Sequence, residues 1–276
     1  MVSTTQIKPA PLLQPFVHCY SLRVFNTGNQ AMPQPIHAVH EYYMSFLLKE
    51  KFCYLTDNSG KMNHRKASSL ITLLTEPLGC MYYKGDYVLF SIQFKSNGFF
   101  AIFGIPQKIL LNTIVPIEDI LGNDAALIQE QLESSKDIGE MGRYMNACLT
   151  AKFLSHRQNF YTTIIAGISQ NILNRKGHVS IDRLAYDANM SLRNFERRFI
   201  ETVGIPPKLY LRITRFFNAL ENKMLNPQKN WTAISHEGGY FDQAHFIKEC
   251  REFSLKAPEE LFKYTPPPTE NFIEKV

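Results

Sequence analysis

Two periods divide the chain. Over roughly the first hundred residues, apolar positions come in alternation or in short runs. In YVLFSIQF, Val88, Phe90, Ile92 and Phe94 fall at every second place, which predicts a half-buried strand. EYYMSFLLKEKFCYL is an aromatic-rich apolar run closed by TDNSGK, a turn signal at Asn58, Ser59 and Gly60. From Gly98 the spacing becomes helical. GFFAIFG stops at Gly104 and Pro106, and PIEDILGNDAALIQEQL, EMGRYMNACLTAKFLS and NFYTTIIAGISQNILNRKG carry apolar residues three and four apart.

A second unit is expected from Gly177. The pattern predicts helices over 180–188 and 191–203, a stop at Gly204, and a long helix from Pro206-Pro207 to about Leu225. NPQKN breaks the chain. Further helices follow over 232–237 and 242–253, separated by Gly238-Gly239, with a closing helix near Pro258. A helix-turn-helix design therefore occurs twice, joined by one long helix. TPPPTE ends the pattern, and the tail is expected to be disordered.

A DNA-reading helix pair needs a first helix that packs, a tight turn, and a second helix that anchors inward and reaches base edges outward. In MSLRNFERRFIETVG, Ser191 suits the cap while Phe195 and Phe199, four apart, share the inner face. Leu184 and Ala185 would pack the preceding helix. Arg193, Glu196 and Arg197 fall on the outer face, where Arg can pair with guanine O6 and N7 and Glu can accept from a cytosine amine. GYFDQAHFIKECREF repeats the design, with Asp242 as cap, Phe246 and Cys250 inward, and Gln243, Ala244, His245 and Lys248 outward. Gln suits adenine, Ala a thymine methyl, and Lys guanine or phosphate. Ser191, Arg198, Lys208, Arg212, Arg215 and Arg251 are assigned to phosphate, where contacts orient without specifying sequence.

Charge supports this placement. The 276 residues carry a net charge of +5, and the segment 191–215 alone holds six basic residues against two acidic ones. The stretch 242–256 is neutral, so the first unit is expected to supply most of the affinity. The five cysteines are dispersed and odd in number, as in a reduced cytosolic protein. No run approaches a membrane span, and the N-terminus lacks the basic-then-apolar order of a secretory signal.

LAYDANMSLRNFERRFIETVGIPPKLYLRITRF and WTAISHEGGYFDQAHFIKECREF resemble the DNA-binding domain of AraC/XylS-type bacterial transcription regulators. Leu184, Ala185, Ser191, Phe195, Arg197, Phe199, Gly204, Pro207, Tyr210 and Arg215 match its first unit. Ile234, Gly239, Tyr240, Asp242, Phe246 and Pro258 match its second. Ser235 replaces the usual Ala, Cys250 a usual Phe, and Leu255 a usual Gly that supplies a left-handed turn. PLLQPFVHCY and SIQFKSNGFFAIFGIP resemble an N-terminal domain found before this unit.

The resemblance implies a two-domain cytoplasmic, nucleoid-associated regulator that is not an enzyme and needs no cofactor. The expected limits are a regulatory or dimerisation domain over 1–155 of α+β class, a helical linker over 156–176, an all-α tandem helix-turn-helix domain over 177–265, and a flexible tail over 266–276. The expected partners are double-stranded DNA, a small-molecule effector, RNA polymerase if the protein activates, and a second copy as homodimer. In an alternative reading the N-terminal domain docks a protein partner instead of sensing a small molecule.

In the N-terminal half, His37, His40 and Glu41 of IHAVHE, with His64, offer either a metal set or a polar strand edge, and the strand edge is the more frequent outcome for such spacing. No metal is assigned. Tyr42, Tyr43, Phe46, Tyr82, Tyr83 and Tyr87 line either an apolar pocket or the core. The chain contains no G-x-G-x-x-G, G-x-S-x-G or H-E-x-x-H motif.

Overall fold

A computed structural model describes residues 2–50, 52–66, 68–155 and 160–263. The proposed tail at 266–276 and part of the proposed linker lie outside these residues, as does the side chain of His64. Ten strands come first: β1 (Val2–Ile7), β2 (Val17–Asn26), β3 (Met32–Ile36), β4 (Tyr42–Lys49), β5 (Phe52–Thr56), β6 (Met62–Lys66), β7 (Ser69–Ile71), β8 (Gly79–Tyr83), β9 (Asp86–Phe94) and β10 (Ile114–Pro116). They form a six-stranded sheet in the order β1-β2-β9-β4-β7-β10 and a four-stranded sheet in the order β3-β8-β5-β6, each antiparallel. Interleaved or following are α1 (Gly98–Phe103), α2 (Ile117–Leu121), α3 (Asp124–Ser134), α4 (Ile138–Ser155) and α5 (Phe160–Asn174).

The strand predicted from YVLFSIQF is β9, but it is not half-buried. It lies between β2 and β4 in the larger sheet. Phe90, Ile92 and Phe94 point to one face, where Phe94 packs edge-on against Phe99 of α1. Tyr20 on the same face hydrogen-bonds Asn146 of α4 at 2.8 Å. Leu89, Ser91 and Gln93 point the other way, toward the smaller sheet. Helices cover one face and a second sheet the other, so alternation here separates two buried environments. The run EYYMSFLLKEKFCYL also divides: Glu50 adopts a left-handed conformation (φ 57°) and sends β4 and β5 into different sheets.

A cavity of about 50 Å³ lies between the sheets. The register sets Ser21 opposite Ser91, Ser91 opposite Ser45, and Ser45 opposite Ser69, a serine row across four strands. Small side chains at facing positions leave the space open. Ser45 and Ser91 bond each other at 2.9 Å. Of the aromatic residues suggested for a pocket, Tyr43 and Tyr83 line this cavity, while Tyr42 and Phe46 are buried on the opposite face of β4.

The remaining helices are α6 (Ile181–Asp187), α7 (Leu192–Val203), α8 (Pro207–Leu225), α9 (Trp231–Glu237), α10 (Gln243–Ser254) and α11 (Pro258–Lys263). The chain thus has the expected order of classes: a strand-rich α+β region, then two helix-turn-helix units joined by a long helix. α8 is the shared beam. Its Tyr210, Ile213, Phe216 and Leu220 are fully buried, and both units pack on it. Among the described residues no helix is long and apolar enough to cross a membrane.

Candidate nucleic-acid interface

Each helix of the two units is capped by a side chain of the expected type. Ser180 Oγ accepts from the Arg183 amide at 3.2 Å and Ser191 Oγ from the Asn194 amide at 3.4 Å. In the second unit, Asn230 Oδ1 accepts from the Ala233 amide at 2.8 Å and Asp242 Oδ1 from the His245 amide at 2.7 Å. Each cap satisfies an amide that the first turn leaves without a helical partner.

The first helices end alike. The Met190 amide donates to Ala185 O and the Tyr240 amide to Ser235 O, both at 3.0 Å, with Asn189 (φ 53°) and Gly239 (φ 67°) in the left-handed region. A Cβ at Gly239 would also lie 2.2 Å from the His178 ring, which would have to move aside. After this closure the units diverge. Ser191 caps α7 directly after Met190, whereas Phe241 stands between Tyr240 and the cap Asp242. The second turn is one residue longer.

The inner faces are closely packed. Phe195 and Phe199 are fully buried, and Phe199 lies 5.6 Å from Tyr210 of α8. In the second unit Phe246 sits between Trp231 at 5.6 Å and Tyr240 at 5.0 Å. The three departures from the family pattern are accommodated. Ser235 Oγ donates to Thr232 O at 2.9 Å, Cys250 is buried with its thiol pushed up to about 12 by burial, and Leu255 takes the left-handed conformation (φ 61°). Leu adopts that conformation at a cost of roughly 1 kcal/mol.

On the outer face of α7, Arg193 and Glu196 are exposed. Arg197 is exposed but bonded to Asn194 and Glu201, both at 2.9 Å, and half-buried Arg198 also reaches Glu201 at 2.9 Å. Lys208 is exposed at the start of α8. On α10, Ala244 and Lys248 are exposed; Gln243 is half-buried and accepts from Thr232 at 2.7 Å; His245 stacks edge-on against Tyr240 at 5.4 Å. Arg251 is exposed.

Two of the residues expected at phosphate, Arg212 and Arg215, have partners within the fold. Arg212 donates to Glu249 at 2.7 Å and to Glu252 at 2.6 Å, with its guanidinium 5.0 Å over the Phe253 ring. It clamps α8 to α10. Burial alone would lower its pKa, but the bonds it donates to Glu252 and Glu249 raise it. Arg215 is half-buried over Tyr240 at 5.9 Å. Glu249, one of the acidic residues that make the stretch 242–256 neutral, is 3% exposed. With Glu249 and Glu252 both engaged by Arg212, the outward side of α10 is less acidic than the sequence count implies.

Sequence reasoning missed this clamp, whose acceptors lie 37 and 40 positions from Arg212 with no periodic signal to join them. It also missed what IHAVHE does. The His37 ring packs edge-on to Phe216 at 5.9 Å, and His40 packs edge-on to Phe217 at 4.8 Å and Tyr210 at 5.9 Å. Glu41 is buried, which would raise its pKa, yet its bonds from His18 at 2.6 Å and Gln93 at 2.5 Å, with His40 nearby, hold it down at about 2. Among the described residues no group of three or more His, Cys, Asp or Glu is arranged to hold a metal.

The family model for a helix-turn-helix domain matches residues 184–264. Among solved structures, ToxT from Vibrio cholerae O395 is 10% identical, with a TM-score of 0.46 over 87% of this chain and 96% of that one. Fatty-acid-bound wild-type ToxT from strain SCE256 gives 10% and 0.46 over 87% and 94%. The AraC-like transcriptional activator CuxR gives 12% and 0.29 over 79% and 86%. All three TM-scores lie below 0.5. No curated protein sequence matches the chain.

Proposed function

We propose that this chain, which carries at residues 184–264 a helix-turn-helix domain of the AraC type, is a transcription regulator that reads two adjacent major-groove segments. Arg193, Glu196 and Arg197 read bases from α7, and Ala244, His245 and Lys248, with Gln243, read them from α10. Ser191, Arg198, Lys208 and Arg251 hold phosphate. The observation that carries the reading is the pairing of two capped helices, each anchored by aromatics on the same α8, each leaving polar groups exposed. A single rigid beam between them sets the separation of two readers, as a protein spanning successive grooves of one DNA face requires.

The N-terminal region controls the readers in this account. The cavity between the sheets takes a small effector, and the loop 37–41 carries its presence to α8. Support comes from His37. It lines the cavity, is 3% exposed and leaves Nε2 without a partner, while its Nδ1 donates to Ala38 O at 2.9 Å. A ligand donating to that nitrogen would bear directly on Phe216.

Selection of bound sites from random duplex DNA by the full-length protein tests the first part. The expected result is one enriched motif with two separated halves. No enrichment at low or near-physiological salt, with or without the N-terminal region, would refute it.

A further inference from the structure

Phe241 is the residue by which the second turn exceeds the first. After the matching closures at Ala185–Met190 and Ser235–Tyr240, the first unit goes straight to its cap and the second inserts Phe241. The insertion does no packing, for its side chain is 93% exposed, the most exposed large apolar side chain described. A residue before a helix cap often staples onto the fourth helical residue. Here that position, Phe246, is already covered by Tyr240 at 5.0 Å. The fold thus supports the ring without using it.

Its neighbours narrow its use. Across the cap lies exposed Ala244, while Gln243 is bonded to Thr232 and His245 is stacked on Tyr240. The entrance of α10 therefore places the two apolar groups Phe241 and Ala244 beside the capping Asp242 and His245, with Lys248 one turn further on. The entrance of α7 presents Arg193 and Glu196 instead. In the major groove the one apolar feature that distinguishes bases is the C5-methyl of thymine.

We propose that Phe241 is a base-reading residue that packs its ring on a thymine methyl group beside the N-terminus of α10. This rests on the DNA-reading function proposed above. The second unit would then add an apolar contact to the polar contacts of Gln243, His245 and Lys248.

The test uses the full-length protein and a duplex first selected from random DNA. Each thymine is replaced singly by deoxyuridine, which removes only the methyl, and affinity is measured for the wild type, Phe241→Ala and Phe241→Leu. The expected result is one position, or two adjacent ones, where the methyl is worth about fourfold to the wild type, the value of one buried methylene-sized group. Phe241→Ala should be insensitive there and Phe241→Leu intermediate, with melting temperatures unchanged because the side chain is exposed. Equal weakening of thymine and deoxyuridine duplexes by Phe241→Ala would mean a backbone contact and overturn the proposal. Unchanged affinity in Phe241→Ala would overturn it too, leaving the ring to a protein partner. Failure to select any duplex would instead refute the underlying DNA-reading function.

Discussion

The backbone amide of Ala38 donates to the carbonyl of Phe253 at 2.9 Å, joining the loop after β3 to the last turn of α10. Two further contacts accompany it. Gly204, at the end of α7, sits so close to Gln107 that a Cβ would lie 3.1 Å from the Gln107 Cβ, and Ser96 hydrogen-bonds Tyr210 of α8. Both candidate readers are therefore held at their C-terminal ends by the strand-rich region, while their N-terminal ends face outward. A change in that region has a short path to the spacing between readers.

His40→Ala should loosen this hold. The side chain is 4% exposed and packs on Tyr210 and Phe217, so its removal leaves a cavity worth about 2 kcal/mol of stability. Urea unfolding gives the loss, and a selection with the variant should accept a wider range of half-site spacings than the wild type.

Arg212→Met should destabilise the protein while leaving the salt dependence of DNA binding unchanged. Removing the guanidinium leaves Glu249 buried without its cation, a loss of about 3–5 kcal/mol. Pairing it with Glu249→Gln should recover most of that. If Arg212 were a phosphate contact, the slope of log affinity against log salt would fall by about one.

Glu201 restrains two arginines at once, and Glu201→Gln should release them. Non-specific DNA affinity is expected to rise several-fold at low salt. Arg197→Ala is expected to weaken specific binding more than Lys248→Ala, since a bidentate guanine contact is worth about 1–3 kcal/mol. Binding titrations of the two variants on one selected duplex decide this, and the opposite order would place the main affinity in the second unit.

Acidification should undo the docking of α8. Burial lowers the pKa of His37 below its ordinary 6.5. A depressed histidine stays neutral in the folded protein while the unfolded chain takes up a proton, so stability is full above pH 6.5 and declines as pH falls below it. Unfolding free energies at about pH 7.5 and about pH 5.5 should differ more for the wild type than for His37→Gln.

What was legible in the sequence was local. Ser191, Asp242, Gly204 and the Pro206-Pro207 pair act within a turn of chain: α7 starts and stops, and α8 and α10 start, where those residues predict. The longer second turn could also have been read, since six positions separate Ala185 from Ser191 and seven separate Ser235 from Asp242. The rest depends on distant pairing. That β9 is central, that Arg212 meets Glu249, and that IHAVHE packs on α8 follow from contacts over dozens of residues that no periodicity records. The break between β4 and β5 escaped because Glu50, not glycine, takes the left-handed turn.

The most direct test is a spacing series on a selected duplex, with one to five base pairs inserted between the two halves of the site. α8 and the strand-rich region fix the readers, so even one or two inserted pairs should reduce full-length binding to that of a single half-site, as each pair shifts and rotates the second groove. Affinity unchanged across the series would contradict the account, because it would mean that one helix reads the DNA and the other does not.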